Sequence, residues 1–432
     1  MAERTTITQV IQLGVEVTPG TAVLATRRLQ SISIDPGVKV NVNAFRPQWD
    51  KYSTTLALGR EWTEATVSGD PNFNELPYIL NSLLTTATPV NGSGGAAGSY
   101  TWTFQPLASA PDNPTTFTVE HGSSVRADRF SNGIFTALNF VADRTKFTLT
   151  GSMIGQQLQD GFSITAQVKD VKNIHASAIL TAGSYTVGDG TNVTGAIAYN
   201  ATLATVQAAL LAATPNPIAY TVTGGILTTP TDFVATANTP GAMPGWVITP
   251  TGITGGTVSI VQGAVGAGPN TVPLVPAIPP NVDVYYSSTI GGLGGSPQKL
   301  LRALSFTFNL DSRFGPLWAL NSANSSWATT VETVPKADLK VMVEADAAGM
   351  AMLADLRSSA TKYIRFNVGG PQIGSTGVNY QFTVDLAVKV KDIAPFRDDQ
   401  GVYAVEFSFE IVDDATFGGP MKMTIVNALA AL

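Results

Sequence analysis

The 432-residue sequence contains no cysteine and only two histidines, His121 and His175. The first absence excludes disulfides, thiolate metal sites and a thiol nucleophile. The second makes a histidine-based metal site improbable and leaves any Ser-His-Asp triad dependent on one of two residues. His121 lies between Glu120 and Gly122, where a solvated turn residue is expected. Charge is scarce too: 13% of residues are charged and the formal net charge is −6. A protein that coats DNA needs clustered Lys and Arg to release counterions from phosphates, so this balance argues against one. A wall past which DNA slides is a different case, because like charges repel across a narrow water-filled space. No apolar run approaches the ~20 residues that span a bilayer. The start, Met1-Ala-Glu-Arg-Thr-Thr6, lacks the basic-then-apolar pattern of a secretion signal, and a soluble protein made in the cytosol is expected. Gly291–Gly295 has no following Lys-Ser/Thr and is no phosphate loop, and Asp398-Asp399 and Asp413-Asp414 lack the alternating spacing of an EF-hand. An enzyme, a cofactor and a resident metal are not expected.

What is present is apolar and rich in turn formers: 44% hydrophobic residues with 41 Gly and 26 Pro, which favours strands joined by turns. The length predicts about three folded units. Arg28-Leu-Gln-Ser31-Ile32-Ser33-Ile34 and Arg302-Ala-Leu-Ser305-Phe306-Thr307-Phe308 share one alternating pattern, as an internal repeat would. Each is followed by a long aromatic connection, Phe45 through Trp49 to Trp62 and Phe314 through Trp318 to Trp327. Strands over 64–70 and 339–346 then end at Asp70 and Asp346, each placed to cap a helix, over 74–84 and around Met350, Leu353 and Leu356. Further strands are predicted over 116–119 and 134–151 in the first copy, and over 363–368, 381–390 and 402–412 in the second.

Between the copies, residues 176–265 are almost free of charge and crowded with Thr, Gly and Ala. Strands over 184–187, 196–199, 218–222, 233–237, 246–248 and 258–262, with a helix over 201–213 capped by Asn200, predict an inserted domain. The exit is a proline-rich spacer, and Asn91–Gly98 is a flexible surface loop by composition. Gly14, Pro19 and Gly20 between short apolar runs predict an extended N-terminal arm, with a simple edge strand as the alternative.

Leu13-Gly-Val-Glu-Val-Thr-Pro-Gly-Thr-Ala22, Val282-Asp-Val-Tyr-Tyr286 and Ser312-Arg-Phe-Gly-Pro-Leu-Trp-Ala-Leu-Asn321 resemble the major tail tube proteins of siphoviruses. Ala196–Leu210 with Tyr220–Gly225 is similar to a small module of virion structural proteins. The resemblance implies a mainly β fold of two tandem tail-tube-type β-sandwich or barrel domains, each with a short flanking α-helix, plus a small inserted α+β domain. The expected boundaries are 1–170 for the first tube domain with its arm, 176–265 for a surface-projecting insert, 266–281 for a Pro-rich linker, and 282–432 for the second tube domain with a C-terminal segment.

It also implies a hollow virion tail tube of stacked rings, its subunits synthesised in the host bacterial cytoplasm, through which DNA passes without specific binding. A tandem copy predicts trimeric rings with pseudo-sixfold symmetry. The implied partners are other copies of the chain and the tape-measure, tail-tip and tail-terminator proteins, with no membrane insertion. Phe45, Arg46, Trp49, Trp62, Arg313, Phe314, Trp318 and Trp327 are the expected ring-stacking residues, although the tryptophans have the alternative of folding back onto their own sandwich. Asp50, Glu61, Glu64, Glu332 and Glu344 are candidate acidic residues of the lumen. Another virion part, a tail-tip or capsid decoration protein, and a secreted all-β binding protein are the competing expectations.

Overall fold

The computed structural model describes residues 8–92, 96–107, 109–215, 218–224, 227, 232–240, 243–321 and 325–432. The expected leaderless start, residues 93–95 of the glycine-rich loop, Gly225 and residues 322–324 of the second connection lie outside these. The fold is mainly β and forms two compact units. The first runs through Val23, Leu29–Ile164 and Val272–Leu432; the second is Leu24–Arg28 with Thr165–Thr271.

In the first half of the first unit, β1 (Val10–Val15) precedes β3 (Ile32–Phe45) and β4 (Thr55–Gly69); of β2 (Arg27–Leu29) only Leu29 belongs to this unit. Helix α1 (Leu76–Leu83) follows, then β5 (Val90–Asn91), β6 (Tyr100–Phe104), β7 (Phe117–Gly122), β8 (Ala127–Ala142), β9 (Phe147–Gly155) and β10 (Gln159–Phe162). The strands pair antiparallel in the order β1-β7-β8-β9-β4-β3, and β10 adds to β8. Period-two alternation buries Ile32, Ile34, Ala65, Val67, Leu138 and Phe140 on one side of their strands.

Two expectations fail in this half. β1 takes the strand alternative and is no free arm: it pairs with β7, and the Glu16 carboxylate accepts hydrogen bonds from Gly20 N, Thr116 Oγ1, Thr118 Oγ1 and Asn132 N at 2.8–2.9 Å. Asp70 does not cap α1. The N-cap is Glu75, with Pro77 in the first turn and no side-chain cap, while the Glu75 carboxylate accepts from Gln30 N, Ser31 N and Ser31 Oγ at the start of β3. A proline already removes one orphan donor, so the capping need is smaller. All of α1 is buried, not one face of it.

The second unit holds β11 (Lys169–Ala176), β12 (Ala182–Gly188), β13 (Ile197–Ala198), α2 (Leu203–Leu211), β14 (Tyr220–Gly224), β15 (Phe233–Pro240), β16 (Val247–Thr254), β17 (Val258–Gln262) and β18 (Asn270–Thr271). Its sheets, β14-β15-β11-β17 and β13-β12-β16, share a core of Tyr185, Val187, Val206, Leu210 and Phe233. A boundary at residue 176 misses β11, which lies between β15 and β17. The helix starts at Thr202, whose side chain accepts from Thr205 N, because an Ala201 N to Ala198 O bond holds Asn200 in a turn.

β11 hides a buried ion pair. Asp170 contacts Lys172 Nζ at 2.9 Å and accepts hydrogen bonds from Tyr220 Oη at 2.6 Å, Gln262 Nε2 at 3.0 Å and Gly266 N at 3.1 Å. Burial raises the Asp170 pKa, and the hydrogen bonds from Tyr220, Lys172 and Gly266 outweigh it, holding the carboxyl below its ordinary value. A depressed folded pKa stabilises the unit above the unfolded value of 3.8, and that contribution is lost as pH falls through the folded one. Amide exchange in β11 and β15 is therefore expected to accelerate below about pH 4, and Asp170→Asn to flatten that acid dependence. An unchanged pH profile in the variant would remove Asp170 as its cause.

The second half of the first unit contains β19 (Val282–Ser287), β20 (Ala303–Asp311), β21 (Phe314–Leu317), β22 (Thr329–Glu332), β23 (Lys336–Glu344), α3 (Ala347–Ser358), β24 (Lys362–Gln372), β25 (Asn379–Ile393), β26 (Arg397–Asp399), β27 (Val402–Ile411) and β28 (Met421–Asn427). Its order is β19-β24-β25-β27-β23-β20, again antiparallel throughout. This is the order of the first half, strand for strand, with the helix after β23 as it is after β4 and with β28 on β25 as β10 is on β8. The two copies of the sequence motif lie at the start of the equivalent strands β3 and β20. Asp346 caps α3 as expected, accepting from Gly349 N at 2.8 Å.

The halves are joined strand to strand. β20 pairs with β8, Phe306 opposite Ala142, Phe308 opposite Phe140 and Leu310 opposite Leu138. β28 lies between β25 and β6, with Ile425 opposite Trp102. Phe140 contacts Phe308 and Phe382, so one apolar core crosses the junction. The proline-rich stretch is no free spacer beyond residue 271. Val272 and Ala277 are buried, Phe73 N donates to Val275 O and Ala277 N to Pro71 O, and Asn72 and Asn74 donate to the Pro273 carbonyl. Prolines keep this segment extended, which exposes its carbonyls to those amides.

Candidate assembly interface

The long first connection expected over 45–62 is mostly strand. β3 and β4 form a hairpin from Ile32 opposite Gly69 to Phe45 opposite Thr55, with a bulge between Val40 and Val42, so only 46–54 make the turn. At its base one side faces the core; beyond the bulge both sides face outward. Val42 opposite Leu58 and Ala44 opposite Leu56 put apolar groups on one face. Leu58 is 75% exposed, Tyr52 81% and Trp49 87%. Apolar side chains scattered singly on a surface need no account; several side by side on one hairpin are the kind of patch that interaction surfaces present.

The expected residues do not converge. Phe45, Arg46 and Trp49 are exposed at the hairpin end, and Asp50 is in its turn. Trp62 lies within β4, packed edge-on against Trp318 with ring centroids 5.3 Å apart. The second connection folds onto the base of this hairpin: Glu61 N donates to Ser325 O at 3.2 Å, and Arg60 donates to the carbonyls of Ala319 and Asn321. Trp327 is 1% exposed, with Nε1 donating to Gly155 O at 3.0 Å. Phe314 and Arg313 are buried as well. Arg313, Phe314 and Trp327 are thus interior residues, and the outward part of the expected set is Phe45, Arg46, Trp49 and, less fully, Trp318, with Trp62 half-buried.

The acidic candidates are dispersed in the same way. Glu64 lies 3.6 Å from Lys39, and Glu61 is beside it on the hairpin. Glu344 pairs with Arg302 at 2.6 Å. Glu332 belongs to a buried cluster in which Arg313 contacts it at 3.0 Å, contacts Asp112 at 2.6 Å and donates from Nε to Leu83 O at 3.2 Å. Asp112 was not singled out from sequence, since it lies 201 positions from Arg313 and carries no local signature.

His121 is in β7, not in a turn, with Nε2 3.8 Å from Asp35; His175 Nδ1 lies 2.7 Å from Asp232. Among the described residues no cluster of three or more metal-ligating side chains occurs, and no helix is long and apolar enough to cross a membrane. No protein-family model matches the chain, and no curated protein matches it.

Proposed function

We propose that the chain is the subunit of a hollow virion tail tube, a non-enzymatic structural protein that assembles into stacked rings around a path for DNA. The observation that carries this is the duplicated strand order whose copies join edge to edge through β8 and β20. A ring of like domains needs one such join repeated around an axis, and strand edges serve it by backbone hydrogen bonding. With two copies per chain, three chains supply six quasi-equivalent positions. The apolar hairpin tip suits contacts between rings. The formal charge of −6 gives DNA little to grip. Tape-measure, tail-tip and tail-terminator proteins are the partners this role calls for, in the tail of the virion.

Electron microscopy of the purified protein tests it: hollow filaments built of three-chain rings are expected. Six chains per ring would overturn the threefold construction. Persistence as single chains at every concentration would overturn the tube.

A further inference from the structure

The join between halves is a template for a join between chains, and its two missing sides are on the surface. Among the described residues β4 is the one strand paired with β3, and Asp392 and Ile393 of β25 pair with β27 alone. β3 is the counterpart of β20, and β25 the counterpart of β8. Following partners across each sheet aligns them residue by residue. From Ser33 the path runs to Ser68, Thr150 and Asn139; from Thr307, the counterpart of Ser33 in the motif, it runs to Lys340, Ser408 and Asp392. From Ile32 it reaches Gly69, Leu149 and Phe140, and from Phe306 it reaches Val341, Phe407 and Ile393. Asp392 therefore occupies the place of Asn139, and Ile393 that of Phe140.

Resting on the reading of the chain as a self-assembling subunit, we propose that β3 of a second copy docks antiparallel on the open edge of β25, with Ile34 opposite Ile393 and Asp35 opposite Asp392. The apolar pair repeats Phe308 opposite Phe140 within the chain. The next pair does not repeat. Within the chain it is Asn309 opposite Asn139, two neutral amides; between chains it is two carboxylates. Like charges directly opposite on a sheet are destabilising, so the seam between chains is weaker than the seam within one. This opposed pair acts as a brake that raises the concentration needed for ring closure. Both carboxylates are exposed in the single chain, and Asp35 Oδ1 lies 3.8 Å from His121 Nε2. The exposed stacked pair Phe396 and Tyr403, 4.9 Å between centroids, lies just past the β25 edge where the second copy would cover it.

The absence of native cysteine makes cross-linking clean. In Ser33→Cys/Ala394→Cys, oxidation of assembled protein is expected to link one chain to the next, whereas Val141→Cys/Thr307→Cys, at the equivalent place inside the chain, links a chain to itself. Asp35→Asn or Asp392→Asn is expected to lower the assembly concentration about fivefold. Asp35→Lys or Asp392→Lys alone, opposing unlike charges, lowers it further, and the double lysine variant returns it toward the wild-type value. Filaments that form without the Ser33→Cys/Ala394→Cys link, or a double lysine variant that assembles as readily as the singles, would overturn this seam while leaving the tube standing. Failure of the wild type and every variant to assemble would overturn both.

Discussion

Arg313→Ala is expected to destabilise the first unit by about 3–5 kcal/mol, because it strips the cation from a buried cluster and leaves two carboxylates facing each other. Arg313 and Asp112 are almost inaccessible to solvent and in contact at 2.6 Å, while Glu332 keeps a quarter of its side chain exposed. Burial raises the Asp112 pKa even though the Leu107 N–H and Arg313 hydrogen-bond to it, a measure of how poorly the site holds an unpaired carboxylate. Through Leu83 O and Asp112 the guanidinium also ties the second half to the first. Urea unfolding would show the loss as a lower midpoint. Arg313→Met combined with Asp112→Asn should recover part of it, since replacing both charges removes the desolvation cost that breaking one leaves behind. A fall of less than about 1 kcal/mol in the alanine variant would mean that the cluster is not a structural tie.

Trp49→Ser with Leu58→Ser should leave unfolding nearly untouched and still abolish filament growth. Both side chains are largely exposed in the single chain, so their replacement is expected to change its stability by no more than about 0.5 kcal/mol each. Covered by a neighbouring ring, each would contribute about 1.5–3 kcal/mol. Losing both corresponds to at least a hundredfold rise in the concentration needed for stacking. Rings without filaments are the expected product, visible by electron microscopy and sedimentation. Normal filaments from this variant would show that the hairpin tip has some other partner.

The contrast between these two sites shows what sequence exposes and what it hides. Alternation revealed β3, the base of β4, β7, β20, β23, β24, β25 and β27 and most strands of the second unit, because it follows directly from one side of a sheet facing a core. It missed β6, β10, β19 and β28, and the single stretch 134–151 is two strands, β8 and β9, parted by a turn at 143–146. The repeat was visible in Ser31–Ile34 and Ser305–Phe308, since both start the strand at the same place in the order. β11 escaped because Lys169, Asp170 and Lys172 look solvated until Tyr220 and Gln262, distant in the chain, supply partners. The tip of the β3–β4 hairpin read as a loop because alternation loses its meaning where both faces are open. Arg313 read as loop surface because nothing local announces that Asp112 waits for it, and Trp327, left between a stacking contact and its own sandwich, takes the second place with Gly155 as its partner.

The position of β28 has a kinetic consequence. Trp102 of β6 hydrogen-bonds to Asn427, 325 positions later, and β6 has no partner but β28 and the two-residue β5 among the described residues. Contacts so far apart form late and slowly, because closing the intervening chain costs entropy before any pairing offsets it. A chain still emerging from the ribosome leaves β6 as an unsatisfied edge until β28 arrives. Completion of the first half thus waits until residues 421–427 have been made, and a nascent chain stalled before residue 421 exposes the strand most prone to pair with the wrong molecule.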